Sequence, residues 1–575
     1  MNTGHAGRSE HFWSGLSIAA AALVLVPLLA IGWIALTPSG DVWDHLVSTV
    51  LPDALATTLL MMAGVGSLTL IIGVGTAWLT TMCRFPGRGL FDWLLLVPLA
   101  VPTYIIAFAY VEALDYTGPV QSTLRAVMGF KTSRDYWFPE VRSLGGAILV
   151  MSFVLYPYVY LTSRAAFLLQ TSSMLDVSRT LGASPLRVFL AIALPMARPA
   201  AAVGVSLALM ECLNDIGAVT FFGVRTLTFS VYETWLNRSS LGGAAQLAIA
   251  MLLMVFALLW VERRARRHQR FNSGHSKQRQ PSRIHLNGLA APAALIACAL
   301  PVLLGFGVPA LILVEMAARR LELFSDPALH RAIGHSLQLA AIASVLTVAL
   351  SVALAYGLRL RDTPVLRLAI RFSSIGYAIP GAVLAVGILT PLAALDGILG
   401  GALRALFGDL SGPLLLGSGV GLIYAYSVRF LAVSYGQIDS GFGKISPHLD
   451  MVSRTLGSTA ARTLWQVHLP LLKPVLLSAL LLTFVDCMKE LPATVLLRPF
   501  NFDTLATTVF EAASREAFEE AALPALAIVL VGLIPVILLA RTSARSFRDA
   551  TSRRESLASA AASLLDRQDA PAAAE

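Results

Sequence analysis

The chain has 575 residues, of which 56% are hydrophobic and 13% charged, against roughly 25% charged in an average soluble protein. That balance would leave a water-soluble fold without a surface, so the lipid bilayer is the expected solvent. The net charge of +9 is not gathered into one basic stripe with interleaved aromatics, which argues against nucleic acid as a partner.

In chain order, twelve apolar blocks stand at about 14–36, 56–83, 91–114, 145–167, 197–223, 243–262, 289–317, 335–360, 371–395, 412–438, 472–496 and 522–541. Each lies near the roughly 20 residues that cross a bilayer's hydrocarbon core. They are rich in Leu, Ala and Val without period-two alternation, so they read as helices and not as barrel strands. The expected fold is all-α and polytopic, with about twelve transmembrane helices. The first block follows a short polar stretch with one basic residue, Arg8. It is longer than the apolar core of a secretory signal and is expected to remain as a helix.

Alternate loops hold the majority of the 43 Lys and Arg residues. Because such residues accumulate on the cytoplasmic side, both termini are expected there. One outer loop carries Arg319, Arg320 and Arg331, offset partly by Glu315, Glu322 and Asp326. Cys83, Cys212, Cys298 and Cys487 are far apart with no C-x-x-C spacing, so neither a zinc site nor a disulfide framework is indicated.

The chain repeats itself. Val177–Pro199 reads VSRTLGASPLRVFLAIALPMARP and Val452–Pro474 reads VSRTLGSTAARTLWQVHLPLLKP, identical at ten of 23 positions at an offset of 275. At an offset of 278, Pro102 matches Pro380, and Thr226, Leu227 and Glu233 match Thr504, Leu505 and Glu511. The expected organisation is a duplicated six-helix unit: a first half at 1–262, a basic linker at 263–288, a second half at 289–548 and a flexible tail at 549–575. The linker contains Arg263, Arg264, Arg266, Arg267, Arg270, Lys277, Arg279 and Arg283, and fits a solvated connection that attracts anionic headgroups.

Each repeated segment falls in a cytoplasmic loop between the fourth and fifth helices of its half. It reads as a short amphipathic helix: Val177, Leu181 and Phe189 can pack while Arg179 and Arg187 face water, and Gly182 permits a tight turn. Pro195 and Pro199 are then expected to open the next membrane helix. In this pattern the chain resembles the integral-membrane subunits of ABC importers, whose signature is E-A-A, three residues, G, about nine residues, then I-x-L-P. The resemblance implies the fold of type I importer permeases and a coupling helix that docks on an ATPase subunit. Carried over, the first copy is Asp176, Val177, Ser178, Gly182, Ile192, Leu194 and Pro195; the second is Met451, Val452, Ser453, Gly457, Val467, Leu469 and Pro470. Both copies depart from E-A-A, while the Gly and L-P spacing survives in both. The coupling loops are expected at about 172–199 and 440–474.

No G-x-x-x-x-G-K-[ST] occurs. The nearest approach, Gly441-Phe442-Gly443-Lys444-Ile445-Ser446, has Ile438 in place of the first Gly and Ile445 after the Lys. The chain is therefore expected to be no enzyme and to bind no cofactor of its own. ATP and Mg would belong to two copies of a separate cytoplasmic ATPase.

Two stretches narrow the resemblance. KELPATVLLRPFNFDTLATTVFEAAS from Lys489 to Ser514 and NDIGAVTFFGVRTLTFSVYETW from Asn214 to Trp235 are similar to the fused ferric-iron permeases of proteobacteria. This implies Fe3+ as substrate, a periplasmic substrate-binding protein as partner and the bacterial inner membrane as location. Fused permeases for thiamine, phosphonates and polyamines share the architecture. An ion-coupled secondary transporter is the rival from another class, since membrane carboxylates and repeats occur there too. A membrane enzyme is disfavoured by the lack of a His/Cys metal cluster or a nucleophile–base motif.

Independently of that likeness, Glu211 and Asp215 lie four apart in the fifth helix of the first half, as do Asp486 and Glu490 in the second. That spacing predicts one helical face. Acidic groups at membrane depth normally face a bundle interior or a water-filled path, and carboxylates are hard ligands suited to hard cations. The four are candidates for lining the translocation path. The alternative is structural, with Lys489 pairing with Asp486 or Glu490 and Asn214 hydrogen-bonding Asp215. Tyr156, Tyr158, Tyr160, Tyr424 and Tyr426 carry phenols that fit an interface belt better than iron ligation. His335, His448 and His468 read as isolated and solvated. Arg498, Arg515, Glu516, Glu519 and Glu520 suit either a docking surface or an ordinary solvated loop.

Overall fold

The computed structural model describes residues 3–37, 42–169, 182–266, 283–373, 376–407 and 413–537. Apart from two short strands, Cys83–Arg84 and Ile284–His285, which pair in parallel, the regular structure of these residues is helical. Among the described residues ten helices are long and apolar enough to cross a membrane, and a pair, Arg88–Ala100 and Thr103–Met128, bent by 87°, makes an eleventh if counted as one span. The remaining expected block is the helix Val420–Gly443, 24 residues long. Its Arg429, tyrosines and serines make it less apolar than the others. The ten clear spans turn large side chains such as Leu29, Trp33, Leu60, Ile71, Leu253, Ile296 and Leu311 outward, as lipid-facing surface requires.

Several blocks that look continuous in sequence are broken. The block at 91–114 bends where Val101 and Pro102 take extended backbone ahead of Thr103. The block at 197–223 ends its helix at Asn214 and resumes as the short helix Gly217–Phe221. The block at 472–496 stops at Met488 and resumes at Pro492–Leu497. Hydrophobicity reports membrane depth but is blind to such breaks, because buried backbone can leave the helix wherever protein neighbours satisfy it.

Pro195 and Pro199 lie inside the fifth crossing of the first half and do not open it, contrary to expectation. In the first half the crossing runs from Pro185 to Asn214, and in the second from Ala460 to Met488. Four crossings contain a π-helical turn: Leu46–Val50, Phe189–Ala193, Leu303–Gly307 and Leu464–His468. Each ends two residues before a proline, at Pro52, Pro195, Pro309 and Pro470. Proline has no N–H to donate, and its ring crowds the carbonyl four residues back, which here lies in the middle of the π turn. Widening that turn lets the helix continue through the proline.

The first helix of each half packs on the other half. Thr3–Ala35 contacts Pro327–Leu360, Pro364–Ser373 and Gly381–Phe407. Ala290–Val302 and Val308–Arg319 contact Leu51–Met82, Arg88–Leu94, Thr103–Leu114 and, through the intervening π turn, Leu144–Leu169. Tyr424 donates to the carbonyl of Leu23 at 2.5 Å, and Tyr110 donates to that of Leu304 at 2.7 Å. Both bonds cross between the halves. The two halves also meet through aromatic rings: Phe108 stacks on Phe518, and Phe221 packs against both Phe108 and Phe510.

Candidate functional site

The repeat brings both helix breaks to one cavity at the seam between the halves. Its wall contains Leu99 and Tyr377, Val154 and Arg429, Leu155 and Phe430, Glu211 and Asp486, Asn214 and Lys489, and Asp215 and Glu490. Each of these pairs is separated by 275 or 278 residues. All four carboxylates expected on a path are therefore in one place. The reason given for it was incomplete, because Asp215 and Glu490 lie past the ends of their helices and share no helical face with Glu211 and Asp486.

At the first break Asp215 Oδ1 accepts from the N–H of Ala218 at 2.7 Å, and the Thr103 hydroxyl donates to Oδ2. At the second, Glu490 accepts from the N–H groups of Ala493 and Thr494 at 3.0 and 3.1 Å and from the Thr494 hydroxyl at 2.7 Å. Both carboxylates thus satisfy backbone donors that open a short helix and would otherwise be orphaned inside the membrane. The halves then diverge. Where the first has Thr103, the second has Gly381, and the guanidinium of Arg429 fills the space and donates to Glu490 at 2.8 Å. A Cβ at position 381 would stand 2.5 Å from that guanidinium and 2.6 Å from Glu490 Oε1.

The other two carboxylates differ as well. Asp486 pairs with Lys489 at 2.9 Å, as the structural alternative anticipated. Glu211 has no ion-pair partner among the described residues. Its Oε1 accepts from the phenol of Tyr377 in the other half at 2.8 Å. Asn214 does not bond Asp215; its Oδ1 accepts from the N–H of Gly381 at 2.6 Å. Two of the cavity's contacts thus cross the seam. The wall carries four carboxylates and two cations, so its fixed charge favours a cation.

Arg429, Thr103, Tyr104 and Tyr377 were not anticipated. Arg429 had been visible as a charge inside a membrane helix, which is itself a functional signal, and Pro492 two residues after Glu490 marked a helix start. Nothing local pointed to Tyr377. The phenols are mostly committed elsewhere: Tyr426 bonds the Thr494 hydroxyl at 2.5 Å, Tyr160 reaches the carbonyl of Asp92 at 3.4 Å, and Tyr156 is buried without a partner.

At the repeated loops, Asp176, Val177 and Ser178 lie outside the described residues. Gly182 and Gly457 take left-handed backbone, φ +79° and +78°, a conformation that favours glycine. In the second copy a helix, His448–Thr455, precedes that glycine. Met451 and Val452 on it are exposed, and Ser453 is buried against Thr463 at 2.7 Å. Leu194 and Pro195, like Leu469 and Pro470, form the first turn after a π turn.

The second loop is clamped. Arg359, at the end of Pro327–Leu360, donates to Asp450 Oδ2 at 2.7 Å and to the carbonyls of Phe442 and Ile445 at 2.8 and 3.0 Å. Asp450 Oδ1 meets His468 Nε2 at 2.6 Å. His468 is fully buried, against the expectation of a solvated ring. His448 is exposed, and His335 stacks on Phe502 with centroids 4.2 Å apart.

The charges expected on the outer side pair with one another. Arg319 and Arg320 both reach Glu519, Arg142 reaches Glu516 at 2.9 Å, and Arg498 holds Asp503 and Glu511. The four cysteines are buried and form no disulfide among the described residues.

Residues 69–270 match the family described as binding-protein-dependent transport system inner membrane component. Over 496 residues, 85% of this chain and 89% of the relative, the chain is 24% identical to the Fe(3+)-transport system permease protein FbpB 2 of Haemophilus influenzae. Over 204 residues, 34% of this chain and 86% of the relative, it is 29% identical to the molybdenum transport system permease protein ModB of Escherichia coli. A putative 2-aminoethylphosphonate transport system permease protein, PhnU of Salmonella choleraesuis, is 29% identical over 200 residues, 34% of this chain and 68% of its own length.

Proposed function

From the premise that this chain is a fused, two-unit ABC-importer permease of the binding-protein-dependent family, we propose that it carries ferric iron across the bacterial inner membrane into the cytoplasm. One observation carries the reading: the seam between the halves holds one cavity whose wall has two more carboxylates than cations. The likeness to a ferric permease over most of both chains supports it. The matches to permeases for molybdenum and aminoethylphosphonate are confined to about a third of this chain.

In this reading a periplasmic binding protein delivers Fe3+ to the outer mouth. Two ATPase copies dock on the loops around Gly182 and Gly457, with both termini on that side. ATP-driven closure of the ATPases moves the halves against each other, and the seam contacts Tyr377–Glu211 and Gly381–Asn214 are the ones such rocking would break. Glu211, Asp215, Asp486 and Glu490 line the path. An excess of carboxylates would also suit a polyamine cation, which is the second reading.

Uptake into vesicles containing the permease, its ATPase and its binding protein tests both. ATP-dependent accumulation of labelled Fe3+, with none of labelled putrescine, thiamine, molybdate or aminoethylphosphonate, is expected. Accumulation of one of those solutes in place of iron would overturn the assignment.

A further inference from the structure

The four carboxylates of the cavity are not equivalent in what they have left to offer a ligand. Glu490 is saturated by Arg429, two backbone N–H groups and the Thr494 hydroxyl. Asp215 accepts from Thr103 and Ala218, and Asp486 is neutralised by Lys489. Glu211 alone accepts a single side-chain hydrogen bond, from a neutral phenol, and is half-buried beside the cavity. Among the described residues it has neither an ion pair nor a backbone hydrogen bond.

A second observation points to a ligand in the same space. Tyr104 lines this cavity, is 3% exposed, and its hydroxyl has no hydrogen-bond partner among the described residues. A buried hydroxyl without a partner costs about 1–3 kcal/mol, and phenylalanine at this position would fill the same volume without that penalty. Tyr158 and Tyr377 line the cavity too. The wall therefore offers three phenol oxygens and the carboxylate of Glu211, all of them hard oxygen donors.

Resting on the ferric reading above, we propose that Glu211 with the phenols of Tyr104, Tyr158 and Tyr377 forms an oxygen-only subsite for a hard trivalent cation, occupied during passage. Asp215 and Glu490 hold the two helix breaks open and do not ligate. A phenol that binds Fe3+ exchanges its O–H bond for an O–Fe bond, and the proton leaves to cavity water. No electron moves. Tyr377 belongs to one half and Glu211 to the other, so separating the halves pulls the ligand set apart and releases the ion.

The test uses the purified permease–ATPase complex without its binding protein, titrated with Fe3+ as its citrate chelate, with Ga3+ as a competitor that has no charge-transfer absorption. Bound iron is expected to give a phenolate-to-iron absorption band in the visible that Ga3+ abolishes. Tyr104→Phe and Glu211→Gln should each weaken iron binding by about tenfold or more. Tyr104→Phe should leave thermal stability equal or raised, which separates ligation from a structural role. Tyr110→Phe, a phenol outside the cavity bonded to Leu304, should keep the band. Wild-type binding and uptake in both Tyr104→Phe and Glu211→Gln, or iron uptake by a wild-type complex that shows no band, would overturn the subsite and leave the ferric assignment standing. Uptake of another solute in place of iron would overturn both.

Discussion

Arg359 and Asp450 meet at 2.7 Å and tie the end of a membrane helix to the first turn of the second repeated loop, with His468 closing the far side of the carboxylate. The positions 278 and 275 residues earlier are Thr81, Leu175 and Ala193, none of which can form an ion pair. The two halves share a loop sequence but not the means of anchoring it. Asp450 thus ties the loop helix to two membrane segments, Pro327–Leu360 through Arg359 and Ala460–Met488 through His468.

Asp450→Asn should therefore uncouple more than it unfolds. The pair is partly exposed, at 16% and 20%, so its loss costs about 1–3 kcal/mol. Expected is ATP hydrolysis near the wild-type rate by a complex that still assembles, with substrate uptake reduced severalfold. Parallel loss of both would show that the clamp only supports folding.

Arg429 and Glu490 behave differently because both are buried, at 7% and 1% exposure. Arg429→Met leaves a carboxylate without its cation, and Glu490→Gln leaves a guanidinium without its anion. Each single change should destabilise by about 3–5 kcal/mol, and the double variant should recover a large part of that. Thermal unfolding of the four proteins in one detergent gives the coupling; additive effects would contradict a mutually compensating pair.

Glycine at 381 is a matter of space. Gly381→Ala places a methyl group against Arg429 and Glu490 and should lower transport strongly with the chain still inserted. Gly75→Ala, where no atom lies within 4 Å of the new carbon, should be neutral or stabilise its helix by a few tenths up to about 1 kcal/mol. Uptake by the two variants, normalised to protein level, separates local crowding from a general intolerance of substitution.

At Gly182 and Gly457 the constraint is backbone and not space. Nothing lies within 4 Å of an added carbon at either, yet both sit in left-handed backbone. Alanine there should cost about 1–2 kcal/mol and distort the turn that follows the loop helix. Co-purification of the ATPase is expected to fall in the double alanine variant while the permease still inserts. Unchanged co-purification would remove these loops from the interface.

Much of the molecule was legible before any coordinates. Block length and composition place the crossings, since the bilayer sets one length for every helix and excludes charge from lipid. The VSRTLG repeat and the 278-residue offset of Pro102 and Pro380 indicate a duplicated chain. The π turns before Pro52, Pro195, Pro309 and Pro470 were readable in principle too, because the clash of a proline ring with the carbonyl four residues back is a local event.

What only the tertiary structure decided is the work assigned to each polar group in the cavity. Glu211 and Asp486 occupy matching positions in sequence, yet one faces a phenol 166 residues away and the other a lysine three residues on. Asp215 and Glu490 read as members of a helical face, and became acceptors for broken backbone. His468, an ordinary loop residue by sequence, is enclosed by Asp450, Tyr356 and Phe442. The physical reason is range. Helix formation and membrane insertion are settled within a few neighbouring residues, whereas the charge and hydrogen bonding of a buried side chain depend on whichever segments the halves bring to the seam. Duplication supplied the same polar positions twice, and packing gave them different partners.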